Sequence, residues 1–261
     1  MEFTVKDEKQ EILIDIEADG DLSFPELTSV TQFEKELLVH SMGRRSLVAE
    51  VYEAWNDSAA IVLFKKLEPP FPVINCFMIA LVERMQPVWR AMGRNRYIPE
   101  EYRNPNLLTG TLDLMRLFSM GMLDHHVFSK RNKLFYRMEH DINTTPDPLD
   151  AIGDSDPDYP VLLDHARYTT ALWVAETIAH ATNVMTSIDR EPSKRSMGIR
   201  RRMAVVTCSN ALVFYNHAVN AGYIKGDRKE VVEAEELAQI SSFIKASEAH
   251  QEGDPCPYLG Y

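Results

Sequence analysis

The chain has 261 residues, 45% of them hydrophobic, enough to close one large core or two small ones, which excludes a wholly disordered protein. Its longest apolar run, near Phe77–Val82, falls far short of the roughly 18–20 residues that span a bilayer, and Met1–Glu8 is too charged for a secretory signal. A net charge of −11 disfavours an anionic membrane surface, so the composition reads as a soluble, intracellular protein.

In chain order, residues 1–27 stand apart. Ile12, Ile14 and Ile16 alternate with Leu13 and Asp15, the period of a short strand, with Gly20-Asp21 as a turn and Pro25 as a close. This segment reads as a β-ribbon or an arm that docks on a neighbour. Helices then dominate. Thr31-Gln32-Phe33-Glu34 has capping-box spacing and opens an apolar periodicity that runs from Phe33 to Trp55. Ile61–Phe64 is too short to assign, and Pro69-Pro70-Phe71-Pro72 reads as a rigid connector. A helix is predicted over 73–92, kinked or divided at Pro87, with Gly93 as its cap. Shorter helices are predicted over 107–123 and 127–140.

Residues 143–160, crowded with Asp, Pro and Thr, form the best linker in the chain. Three long helices follow, over about 161–187, 197–221 and 228–247. Gly222 is expected to stop the second, and Asp227 to start the third. Residues 251–261 read as a loose tail. The predicted fold is mostly α: an N-terminal extended or β segment (1–27), a first helical lobe (28–142), the linker (143–160), a second helical lobe (161–250) and the tail. Three scattered cysteines argue against a disulfide framework. Cys76 and Cys208 read as core residues, and Cys256 as exposed.

Charge is sorted along the chain. Residues 83–137 carry ten Lys or Arg against five acids, and residues 185–226 carry seven against two. Acidic blocks at 1–36, 139–176 and 227–254 surround them. Basic blocks inside an acidic chain point to an anionic partner. Lys194, Arg195, Arg200, Arg201 and Arg202, with Arg190 upstream, make the densest group. A helix starting near Ser196 would put the three consecutive arginines in its first turns. There the helix dipole disfavours cations and an anion would relieve them. The alternative is a solvated loop whose arginines pair with the acidic 139–176 block.

The second basic stretch mixes cations and rings. Arg94, Arg96 and Arg103 accompany Trp89, Tyr97 and Tyr102, and Lys130, Arg131 and Lys133 accompany Phe135, Tyr136 and Arg137. Single-stranded nucleic acid is held by such mixtures, charge along the backbone and rings under the bases. Trp89 and Phe135 also fit apolar helical stripes, the commoner role for such residues.

A metal site is the rival chemistry. His125 and His126, then His140 and Asp141, suggest an all-α metal-dependent phosphohydrolase. Glu36 with His40, and Glu176 with His180, share helix faces. No phosphate-binding glycine loop, GxSxG elbow or CxxC pair is present, and no cofactor is called for.

Two fragments beyond the linker carry a resemblance: Asp156-Pro157-Asp158-Tyr159-Pro160 before a long helix, and Asn216-His217-Ala218-Val219-Asn220-Ala221-Gly222-Tyr223-Ile224 closing a later one. They resemble the C-terminal lobe of phlebovirus-type nucleoproteins of segmented negative-strand RNA viruses. The Arg-rich segment also resembles helical viral matrix proteins. The first resemblance implies two helical lobes, an arm joining neighbouring subunits, RNA in a basic groove, and a place in the host cytoplasm or virion. The reading is therefore a non-enzymatic, self-associating helical protein that binds RNA or another polyanion. The alternatives are the phosphohydrolase and an interaction module whose basic blocks meet an acidic protein.

Overall fold

A computed structural model describes residues 2–7, 10–15, 64, 69–152, 159–186 and 194–260; for the strands and for residues 194–197 it describes the backbone alone. The expected helix over 33–55, its capping box, Glu36, His40 and Arg190 lie outside the described residues.

The described chain is mostly helical. Strands β1 (Glu2–Asp7) and β2 (Gln10–Asp15) pair antiparallel, with Glu2 opposite Asp15 and Asp7 opposite Gln10, so the N-terminal ribbon is present. Six α-helices follow among the described residues: α1 (Phe71–Ala91), α2 (Leu107–Ser119), α3 (His125–Asn143), α4 (Tyr159–Thr186), α5 (Lys194–Asn220) and α6 (Arg228–Glu252). A short 3-10 turn covers Glu100–Tyr102.

Helices α1–α3 and α4–α6 make two lobes on either side of the 144–158 connection, and one apolar core runs through both. Helix α1 sits at its centre, with all of Val73–Val82 buried. It packs against α2, α4, α5 and α6, while α3 packs on α4 and α4 on α5. Phe64, Phe77 and Phe243 close the α1–α6 contact as three tilted rings with centroids 5.6–6.0 Å apart. Polar side chains in the core find partners nearby. Thr170, Thr177 and Thr182 of α4 donate to carbonyls one turn back, and Thr182 also donates to Asn132 Oδ1 on α3 (3.2 Å).

Local signals explain the helix ends. Asp227 accepts from the backbone N–H groups of Lys229 (2.8 Å) and Glu230 (3.2 Å), an N-cap for α6. Gly222 takes φ +77°, and the Tyr223 N–H returns to the Ala218 carbonyl, so α5 stops where expected. Helix α1 runs as one helix through Pro87, so the expected division does not occur. Pro87 is exposed, and its missing N–H leaves the Glu83 carbonyl without its intrahelical donor.

The tail also departs from expectation. Cys256 is disulfide-bonded to Cys76 on α1, with a Cα separation of 5.7 Å. Arg116 Nε donates to the Tyr258 carbonyl (3.0 Å), and Tyr258 and Leu259 pack against the core. The tail is docked, and two of the three cysteines are joined. Among the described residues no helix is long and apolar enough to cross a membrane.

Candidate nucleic-acid interface

Helix α3 starts at Asp124, whose carboxylate accepts from the His126 N–H (2.7 Å). Its buried stripe is Phe128, Asn132, Phe135, Met138 and Ile142. On the opposite side lie His126, Lys130, Lys133, Arg137 and His140, all exposed. Their spacing of 4, 3, 4 and 3 keeps them within about 80° of arc at 100° per residue, along about 21 Å of helix. Three fixed positive charges and two imidazoles thus share one solvent face. Arg131 lies on the flank, half-buried, and burial lowers its pKa below the ordinary arginine value.

The 94–103 loop is tied to the C-terminal end of α3. Tyr102 Oη donates to Asp141 (2.8 Å), and burial, then Asp141, pushes the phenol up to about 12. Arg103 is exposed but donates inward to the Ile98 carbonyl (2.7 Å) and the Arg96 carbonyl (3.3 Å), which sets the loop's shape. Arg96 pairs with Asp164 and donates to Tyr97 Oη (2.9 Å), while Tyr97 Oη donates to Asp164 (2.6 Å). Arg94 is exposed.

The rings of this region turn inward. Trp89 and Phe135 are buried, and so are Tyr97 and Tyr102. The cations stay out while the aromatics join the core, so these four offer no platforms for bases. Two further cations of the block are structural. Arg84 forms a two-pronged pair with Glu235 (3.0 and 2.9 Å) and donates to Ser242. Arg116 reaches Glu83 (2.7 Å) as well as the tail.

The arginine-rich segment folds as part of α5, which starts at Lys194, two residues before the expected Ser196. Lys194 and Arg195 therefore occupy the first turn, and Arg200, Arg201 and Arg202 lie beyond the reach of the dipole argument. Consecutive residues on a helix diverge by 100°, so these three arginines fan out. Arg200 is buried, with its guanidinium 4.2 Å from the Phe71 ring centroid. Arg201 is half-buried, and Arg202 is exposed.

The residues of the metal alternative fall apart. His125 and His126 begin α3, while His140 and Asp141 stand near its end, about 20 Å away along the axis. His125 Nε2 is hydrogen-bonded to the Thr186 carbonyl (2.8 Å) and Asp141 to Tyr102. Among the described residues no group of three or more His, Cys, Asp or Glu is placed to hold a metal ion. Glu176 and His180 do meet, through Asn210 Nδ2 (3.1 Å to Glu176, 3.3 Å to His180 Nδ1). Burial raises the Glu176 pKa, with repulsion from Glu139 adding to it, and burial lowers that of His180. The two side chains share one polar contact with Asn210 between α4 and α5.

His126 and His140 join the cationic face although block counting did not select them for it, and Arg137, counted in the 83–137 block, lies between them. The signal was the heptad-like spacing through Lys130 and Lys133. The chain matches no protein-family model, no curated protein and no solved structure.

Proposed function

We propose that this protein binds a polyanion, single-stranded RNA foremost, along the exposed face of α3, and does no chemistry on it. The observation that carries the reading is the alignment of Lys130, Lys133 and Arg137 on one solvent face, backed by an apolar stripe that fixes the helix on its core. The exposed Arg94 and Arg202 supply further positive charge elsewhere on the molecule. Because the neighbouring rings are buried, recognition rests on phosphate charge and is indifferent to base sequence.

Self-association belongs to the same reading. Among the described residues the N-terminal ribbon pairs with no third strand, and Tyr159 and Leu162, one turn apart at the start of α4, are exposed apolar groups. Together these features fit a nucleocapsid- or matrix-like structural role.

Binding of a labelled single-stranded RNA, followed by fluorescence anisotropy across a salt series, tests the proposal. Three phosphate contacts give a slope of about −2 in log affinity against log salt. The triple variant Lys130→Gln, Lys133→Gln, Arg137→Gln is expected to lose that slope and most of the affinity while keeping its helical circular dichroism. Wild-type protein that ignores RNA at low salt would reject the reading. Binding to an acidic polypeptide instead, lost in the same variant, would assign the face to a protein partner.

A further inference from the structure

The cationic face of α3 ends, in both directions, on a group whose charge depends on pH. His126 and His140 flank Lys130, Lys133 and Arg137 along the axis, and all five are exposed. Imidazole is the side chain that changes charge between pH 5 and 8. The face therefore carries three positive charges when both rings are neutral and five when both are protonated. The three fixed cations lie about 4.5 and 6 Å apart along the axis. The rings extend the row by about 6 Å at the start of α3 and about 4.5 Å at its end, so a backbone that follows the cations meets the imidazoles next.

The two ends differ in their surroundings. His140 lies in the last turn, where the helix dipole favours a cation. Glu139 and Asp141 adjoin it, Asp141 accepts from Tyr102, and Glu101 acts on the same phenol. His126 lies in the first turn, where the dipole opposes a cation. There the Asp124 carboxylate, bonded to the His126 N–H, offsets it, and the neighbouring His125 is bonded to the Thr186 carbonyl. From α4, behind the helix, Glu176 meets the charge of Glu139, and His180 lies edge-on to Tyr136 with centroids 6.2 Å apart. Burial raises the pKa of both Glu139 and Glu176, so these acids lose charge early as pH falls, in the same sense as the imidazoles gain it.

We infer that polyanion binding along α3 is gated by protons: His126 and His140, once protonated, become the outer two of five phosphate contacts, and affinity is high near pH 5.5 and low near pH 7.5. The inference rests on the RNA reading of this face and adds its regulation. By linkage a bound phosphate holds the proton on the ring, so binding takes up protons.

Anisotropy of a labelled single-stranded RNA with the full chain, over a salt series at pH 7.5 and again at pH 5.5, tests the inference. The slope of log affinity against log salt is expected to steepen from about −2 to about −3.5, and affinity at about 50 mM salt to rise at least about tenfold. The double variant His126→Gln, His140→Gln keeps the three fixed cations. It is expected to match wild type at pH 7.5 and to hold a slope near −2 at pH 5.5. Both proteins share the general loss of negative charge in acid, Glu139 and Glu176 included, so their difference belongs to the two rings. Helical circular dichroism at pH 5.5 checks that both stay folded; the substituted rings are exposed, and such changes cost the fold little. Calorimetry near pH 6.5 in buffers of different ionisation heat is expected to show more proton uptake on binding by wild type than by the variant. Wild type that binds at pH 7.5 but gains neither affinity nor slope at pH 5.5 overturns the inference and leaves the RNA reading standing, and so does a double variant that gains as much as wild type. Wild type that binds at neither pH removes both.

Discussion

His217 links a single half-buried imidazole to the stability of the whole. It lies on α5 with Nδ1 3.0 Å from the Thr169 hydroxyl on α4. Burial, then the nearby His165, then Arg228, lower its pKa to about 4. An unfolded chain protonates this ring near 6.5, so between pH 6.5 and 4 the unfolded state binds more protons and stability falls as pH falls. The full shift corresponds to a loss on the order of 3 kcal/mol. His180, also lowered by burial, acts in the same sense. Glu139 and Glu176 act against it: burial raises both, so folding favours their neutral forms and stability rises as pH drops from their raised values to the ordinary carboxylate range. Urea unfolding at pH 7 and pH 4.5 separates these contributions. His217→Gln is expected to lose less stability between the two pH values than wild type does, by a few kcal/mol. Equal losses in the two proteins would remove His217 from the balance.

At the scale of the helix, ends and faces obey different amounts of sequence. Asp227 satisfies two free N–H groups of α6 through one carboxylate oxygen. Asp227→Ala is expected to cost about 1 kcal/mol in urea unfolding, and Asp227→Asn only a fraction of that. This cap was legible in the sequence because it depends on neighbours two and three residues away. The Gly222 stop was legible for the same reason. Whether Pro87 divides α1 depends on which side of the helix faces water, a property of packing that local sequence does not carry. The same distinction governs the basic residues. Lys130, Lys133 and Arg137 stand out by composition, and the periodic arithmetic that adds His126 and His140 was available from the sequence alone. Arg200, Arg201 and Arg202 looked like one cluster because they adjoin in sequence, yet a helix sends adjacent side chains apart and α5 turns Arg200 onto Phe71. The pairs Arg84–Glu235 and Arg96–Asp164 join residues 151 and 68 positions apart, which no local pattern encodes.

Over the whole molecule, the contact least visible in the sequence joins its two halves most directly. Three scattered cysteines read as no framework, with Cys76 in an apolar stretch and Cys256 exposed in a tail, and 180 residues separate the two. Their bond becomes possible only when α6 ends at Gly253, whose φ of +77° turns the chain back across α1 and α2. A cross-link that closes so long a loop restricts the unfolded chain strongly, with a contribution of about 2–5 kcal/mol. The tail has other holds: Arg116 on the Tyr258 carbonyl, and Tyr258 and Leu259 against the core. Loss of the bond should therefore lower stability without releasing the fold. Cys76→Ala with Cys256→Ala, or wild type under dithiothreitol, is expected to unfold at lower urea concentration, by the equivalent of 2–5 kcal/mol. The helical circular dichroism in the absence of urea should be unchanged. Reductant should shift wild type and leave the double variant where it is. If wild type unfolds at the same urea concentration with and without reductant, the bond does not constrain the chain and the tail is held by its non-covalent contacts alone.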